Sequence, residues 1–85
     1  MPRFYFHAED GRCFPDEEGT LLPDTRAARR QATAVFGELV KEMPDGVWDS
    51  GAFRVTVKDE DGLVLFVLDM SAVTSPAAAA PRGRF

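Results

Sequence analysis

The spacing of apolar residues along this chain changes twice, from a period of two to a helical period and back again. Residues 3–9 and 52–58 alternate apolar and polar side chains, which indicates half-buried strands. Residues 24–43 repeat apolar side chains every three or four positions, which indicates a helix with one buried face. This order predicts an α+β fold of the type ββαββ, with a four-stranded, mainly antiparallel sheet and one helix packed on one face.

A turn sequence follows each alternating segment and returns the chain as the second strand of a hairpin. Asp10-Gly11 suits a tight turn because both residue types tolerate a positive φ, and residues 59–62 form the later turn. The register of the first hairpin stays open at this point. A two-residue loop pairs Ala8 with Cys13, whereas a three-residue loop sets Phe14 beside Ala8.

The long helix is expected to begin after Asp24 and to end near Met43. The Asp24 carboxylate can accept the free amides of the first turn, which makes this residue a good N-cap. Pro44 and Gly46 follow the last apolar position and end the helix. Small residues early on the apolar face let the helix approach the sheet closely, and larger ones fill the far half. This face consists of Ala28, Ala32, Val35, Phe36, Leu39, Val40 and Met43.

The length and composition of the chain indicate one small globular domain. A chain of 85 residues buries only about 60% of its unfolded surface, so its margin of stability is small. A hydrophobic content of 45% and a charged content of 28% are typical of globular domains. From Ser75 the composition changes to Ala, Pro, Gly and Arg. We therefore predict one α+β domain over residues 1–74 and a disordered Ala/Pro/Arg tail over residues 75–85.

Charge and cysteine content indicate the location of the protein. The net charge of −4 gives no general support for nucleic-acid binding. Cys13 is the only cysteine, so no disulfide can form within the chain, which fits a reducing compartment. The N-terminus does not have the pattern of a signal peptide, and the longest apolar run, residues 63–68, is too short to span a bilayer. We expect a cytoplasmic protein that does not enter membranes.

Several segments, taken in order, resemble a known family. Residues 1–7 (MPRFYFH), 16–19 (DEEG) and 22–28 (LPDTRAA) are similar to the N-terminal signature, the acidic loop and the helix start of a family of short bacterial proteins. Residues 55–62 are similar to its second hairpin. That family is known only as a domain of unknown function. The resemblance covers about residues 1–70; it supports the two-hairpin fold and implies no activity.

The sequence contains no set of residues that predicts catalysis, metal binding or a cofactor. His7 is expected at the surface, and Cys13 is expected to be a small buried side chain. A two-residue hairpin loop would place them on opposite faces, which argues against a catalytic Cys–His pair. The acidic clusters at 16–18 and 59–61 lack the alternating oxygen ligands of a calcium loop, so we expect solvated turns. We expect no enzymatic activity.

Three arginines lie near the start of the helix: Arg26, Arg29 and Arg30. A phosphate site there is disfavoured, because cations at a helix N-terminus oppose the dipole that would hold the anion. We instead expect ion pairs between these arginines and the acidic cluster at 16–18.

The last predicted strand carries more apolar surface than one helix can cover. Alternation over residues 63–68 gives apolar side chains on both faces, which predicts a strand at the centre of the sheet or covered on both sides. Leu63, Leu65 and Val67 would lie on one face and Val64, Phe66 and Leu68 on the other. A large uncovered apolar face usually marks an interface. The predicted interface residues are Tyr5, Leu63, Leu65 and Val67.

These patterns favour a small non-enzymatic interaction module that self-associates as a homodimer through the uncovered sheet face; an unknown protein partner is also open. The competing explanation is that Trp48, Leu21 and Leu22 fold over that face. The alternative function is a regulatory, nucleic-acid-associated or antitoxin-like partner protein. Its phosphate contacts would come from Arg3, Arg54, Lys58, Arg82 and Arg84.

Overall fold

A computed structural model describes residues 1–79 and has the predicted α+β architecture, in which one long helix packs on an antiparallel sheet. Three short elements were not predicted: a third strand after the first hairpin, a five-residue helix before the second, and a four-residue helix in the tail. The elements are β1 (Arg3–Glu9), β2 (Cys13–Phe14), β3 (Thr20–Leu21), α1 (Thr25–Glu42), α2 (Gly46–Ser50), β4 (Ala52–Lys58), β5 (Val64–Ser71) and α3 (Pro76–Ala79).

The strand order of the sheet is β2-β1-β4-β5, with all neighbours antiparallel. β3 pairs with the N-terminal end of β1, where Arg3 lies opposite Leu21, and β2 pairs with its C-terminal end. The prediction of a central strand at 63–68 is wrong, because β5 lies at the edge of the sheet. β1 already occupies one side of β4, so the hairpin can place β5 only on the other side.

The first hairpin has a three-residue loop, since Glu9 lies opposite Cys13 and Ala8 opposite Phe14. Gly11 has a φ of +98° in this loop, a conformation that favours glycine. The structure therefore selects the second of the two open registers. Cys13 is exposed in this register, so the prediction that it is buried is wrong: its position opposite Glu9 turns it away from the core.

The core lies between α1 and one face of the sheet. Ala28 and Ala32 are fully buried, which lets the helix backbone approach the strands closely, and Phe36 meets Phe53 edge to face at 5.1 Å. The Asp24 carboxylate accepts the Ala27 amide at 2.8 Å, so the predicted N-cap is confirmed. The buried apolar residues are Phe4, Phe6, Ala8, Ala28, Ala32, Val47, Phe53, Val55 and Val57.

The connection from α1 to β4 is helical rather than extended. α1 ends at the Met43 C-cap, as predicted, and α2 follows directly and buries Val47 against the core. Gly51 ends α2 with a φ of +86°. The predicted tail starts at Ser75; α3 forms a single helical turn, and residues 80–85 lie outside the described part of the chain.

Candidate interaction surface on the outer sheet face

The outer face of the sheet is the face opposite α1. Directly opposite residues on neighbouring strands present their side chains on the same face, so the register defines which side chains share it. Three rows cross this face: Tyr5–Lys58–Val64, His7–Thr56–Val67 and Cys13–Glu9–Arg54–Asp69. The apolar ends of the first two rows both lie on β5, at the edge of the sheet.

An exposed apolar cluster, here called the β5 patch, covers this edge. Its members and their exposed fractions are Leu63 (63%), Val64 (55%), Leu65 (36%) and Val67 (48%). Three of the four predicted interface residues belong to it, and the fourth, Tyr5, is half-buried in the first row. The structure thus places an apolar surface at β5, whereas the middle of the outer face is polar.

Among the described residues, the three apolar side chains of the competing explanation do not cover the β5 patch. Trp48 and Leu21 are themselves exposed, and Leu22 packs against the core on the helix side. The competing explanation, in which these three residues fold over the outer face, is therefore wrong. Trp48 lies on α2, and Leu21 pairs with Arg3 on β1.

Val64 is a surface residue that the alternation pattern missed. The β4–β5 ladder shifts register between Val57 and Lys58, so that Val64 lies opposite Lys58 while Phe66 lies opposite Val57. Leu65 is the extra residue of this bulge. The shift moves Val64 to the outer face, away from the face of Phe66. No feature of an all-apolar run reveals such a bulge, because every position fits both faces.

The third row carries the charge of the outer face. The Arg54 guanidinium lies 3.8 Å from Glu9 Oε1 and 3.6 Å from Asp69 Oδ2, so one cation is shared between two carboxylates. All three side chains are about half exposed, and surface pairs of this kind contribute about 1 kcal/mol or less. With one cation and two carboxylates, the row gives the polar part of the face a small negative charge and little stability.

Asp16 fastens the loop after β2 to the middle of β1. One carboxylate oxygen accepts the Phe6 amide at 3.1 Å, and the other accepts the amides of Glu18 and Gly19 at 3.2 and 3.0 Å. The Asp16 amide in turn donates to His7 Nδ1 at 3.1 Å. Partial burial acts to raise the pKa of Asp16, but the three amides, with His7 nearby, lower it below its ordinary value.

The three-residue hairpin loop brings His7 and Cys13 to the same face, where both line a shallow cavity of about 430 Å³. His7 Nδ1 already accepts the Asp16 amide, so it is not free to take a proton from a thiol. Within residues 1–79, no cluster of three His, Cys, Asp or Glu side chains is arranged around a possible metal position.

The arginines near the start of α1 do not form the predicted ion pairs. Among residues 1–79, the salt bridges involve Arg12 and Arg54, and none joins Arg26, Arg29 or Arg30 to the acidic cluster at 16–18. The Asp16 carboxylate instead accepts backbone amides of its own loop and of β1. Arg26 and Arg30 instead border a shallow open hollow beside the N-cap.

Two of the basic residues of the alternative function, Lys58 and Arg54, lie on the outer face, in its first and third rows. The Arg3 guanidinium donates to the Glu18 carbonyl at 2.8 Å, and Arg54 lies between two carboxylates. Arg82 and Arg84 lie outside the described residues. No helix within residues 1–79 combines the length and the apolar composition that crossing a membrane requires.

Comparison with known proteins gives one match. A family model described as "Domain of unknown function (DUF6894)" matches residues 3–71. This range begins at the first residue of β1 and ends at the last residue of β5, so it contains the whole sheet and α1. Neither a curated protein nor a solved structure matches the chain.

Proposed function

We propose that this chain, which belongs to the family described as a domain of unknown function (DUF6894), is a non-enzymatic interaction module that forms homodimers through the apolar surface of β5. The observation that carries the proposal is the exposure of the β5 patch on a strand that forms the edge of the sheet. Tyr5, in the same row as Val64, extends the surface towards β1.

The size of the patch fits a weak dimer. Complete burial of one aliphatic side chain contributes about 1.5–3 kcal/mol. Two copies supply two sets of the four patch residues, each roughly half exposed, so full cover sets an upper limit on the order of 10 kcal/mol. Association costs at least about 4 kcal/mol, so at most about 6 kcal/mol remains, which corresponds to a dissociation constant of tens of micromolar or weaker.

We propose that the protein acts in the cytoplasm of a bacterium. Cys13 is an exposed free thiol, and exposed thiols persist in reducing compartments. The regulatory, nucleic-acid-associated alternative has less support, because Arg54 is paired with two carboxylates and the Arg3 guanidinium donates to the Glu18 carbonyl. Binding of a different protein at the same surface is the remaining alternative to the homodimer.

The test is the oligomeric state of Val67→Glu against the matched control Leu21→Glu. Val67 and Leu21 are equally exposed, at 48% and 47%, but Leu21 lies on β3, away from β5. Light scattering or sedimentation from about 1 to about 500 micromolar should show a dimer for the wild type and for Leu21→Glu, and a monomer for Val67→Glu. A wild-type protein that stays monomeric throughout this range would discard the proposal.

A further inference from the structure

β5 has no strand neighbour, within residues 1–79, on the side away from β4. In an antiparallel strand, the backbone groups of successive residues point alternately to one neighbouring strand and to the other side. The Ala72 amide donates to the Gly51 carbonyl at 3.0 Å, so the backbone groups of Ala72 point towards β4, and this shows which residues of β5 do the same. The residues that bond to β4 are Phe66, Leu68 and Met70, and those whose N–H and C=O groups point outward are Val67, Asp69 and Ser71.

This outward edge lacks most of the features that keep strands from pairing. Natural sheets protect their edges with lysines, prolines, bulges or very short strands. Residues 66–71 contain neither lysine nor proline, and Asp69 is their only charged residue. The bulge at Leu65 interrupts the edge only near its N-terminal end, so six consecutive residues remain regular.

The helix side of β5 is also incompletely covered. Phe66, Leu68 and Met70 pack against the core but are only half-buried, because α1 lies mainly over the neighbouring strands. A strand added beside β5 would cover the exposed flank of these side chains. The added strand must therefore be apolar on its own helix side, and β5 of a second copy meets this requirement.

Symmetry and charge select one register for such a pair. A two-fold axis at Asp69 would set the two Asp69 side chains directly opposite each other, and like charges in that position are destabilising. An axis at Val67 would set Asp69 opposite the bulge residue Leu65, where the ladder is irregular. An axis at Leu68 pairs residues 66–70 with one another, sets Asp69 opposite Val67, and places only Ser71, the last residue of β5, opposite Leu65.

The geometry points to a symmetric dimer in which two β5 edges pair antiparallel about Leu68 and join the two sheets into one. This inference rests on the proposed self-association and specifies its geometry. Val67 of each copy exchanges two backbone hydrogen bonds with Asp69 of the other. On the helix side Phe66 meets Met70 of the other copy. On the outer face the two Val67 side chains become diagonal neighbours, so the pairing covers the Val67 end of each β5 patch and leaves the rest of the patch exposed.

Amide hydrogen exchange of the wild-type protein tests this pairing directly. The amides of Val67 and Asp69 should exchange slowly at concentrations where the dimer forms and rapidly on dilution or in Val67→Glu, whose new carboxylate would lie opposite Asp69 of the other copy. The Leu68 amide, which bonds to β4 in either state, is the internal control. A dimer in which the Val67 and Asp69 amides still exchange rapidly overturns the edge pairing and leaves self-association intact. If the wild-type protein is a monomer, both proposals are wrong, and a strand of another protein becomes the candidate partner of this edge.

A pair of substitutions at Asp69 provides the second test. Asp69→Pro removes an N–H group that points away from β4, so the β4–β5 ladder is kept, while Asp69→Ala removes the same carboxylate and keeps the N–H. Asp69→Pro should weaken the dimer about tenfold or more relative to Asp69→Ala, because two intermolecular hydrogen bonds per dimer are lost. Equal dimer affinities of the two variants would contradict the pairing; if Asp69→Pro does not fold, the exchange experiment decides.

Discussion

At the scale of single residues, Asp16 does more for the local fold than its place in an acidic run suggests. Its carboxylate accepts backbone amides from both β1 and its own loop, and its amide donates to His7. Neighbouring Glu17 has no such role in the structure. A sequence of three consecutive acids does not show which one will turn inward, because that depends on where β1 places its free amide groups.

Acid should weaken the fold partly through Asp16. Its pKa is lowered in the folded state despite partial burial, because three amides stabilise the charged form. The folded protein therefore gains stability above the unfolded-state pKa, and this gain is lost as the pH falls through the lower folded-state value. Denaturant unfolding should show a smaller loss of stability between about pH 6 and pH 3 for Asp16→Ala than for the wild type. An identical loss in both proteins would contradict this role.

Gly19 is required where it stands for two reasons. Its φ is +71°, and a Cβ atom there would lie 2.8 Å from Arg3 Cγ, 2.9 Å from Tyr5 Cε2 and 3.0 Å from the Phe4 carbonyl oxygen. We predict that Gly19→Ala lowers the free energy of unfolding by about 2–3 kcal/mol, through the combined cost of backbone strain and crowding.

Gly62→Ala is the matched control for this substitution. Gly62 also has a positive φ, of +82°, but a Cβ atom there meets nothing within 4 Å. Its cost should be only about 1 kcal/mol, from the backbone conformation alone. Equal losses for the two variants in chemical denaturation would show that crowding against β1 has no effect.

At the scale of elements, α1 and the two long strands are where local pattern and final structure agree best. The N-cap, the helix end near Met43 and the buried faces of β1 and β4 all follow from short-range spacing. β3 and α2 were missed, because two and five residues are too few to show a period. Such short elements form when their neighbours already hold the chain in place.

The closeness of α1 to the sheet depends on its small residues. Ala32 is buried at 1% exposure, whereas Ala34, on the same helix, faces solvent. Ala32→Leu should therefore force the helix away from the strands and cost about 1–3 kcal/mol. Ala34→Leu should change the stability by less than about 0.5 kcal/mol. The stabilities of both variants can be compared by thermal unfolding. If Ala32→Leu is not the less stable of the two, this packing is contradicted.

At the scale of the whole molecule, the edge position of β5 determines how copies of the chain can meet. An apolar strand inside a sheet has both sides paired, but here one side and part of each face remain open. The family match ends at the last residue of β5, so this edge belongs to the matched domain.

A dimer that forms in this way should be linked to folding. Because the dimer contains only folded chains, raising the protein concentration should stabilise the folded state. We expect the Tm of the wild type to rise by about 5 °C or more over a hundredfold increase in concentration. The Tm of Val67→Glu should stay constant over the same range. Scanning calorimetry that finds no concentration dependence in the wild type would count against self-association.

The sequence by itself determined the α+β class, the limits of α1 and the inward faces of β1 and β4. Each of these depends on contacts between residues close in the chain, and their spacing is therefore visible in the order of residues. The predicted surplus of apolar surface was also visible, although its position in the sheet was not.

Only the tertiary structure decided the strand order, the register of the first hairpin, the bulge at Leu65 and the exposure of Cys13. These features depend on which distant segments pair and on a shift of one residue, and a one-residue shift exchanges the two faces of a strand. An all-apolar strand such as β5 fits either face and either side of its neighbour, so its place was set by β1, which pairs with the other side of β4.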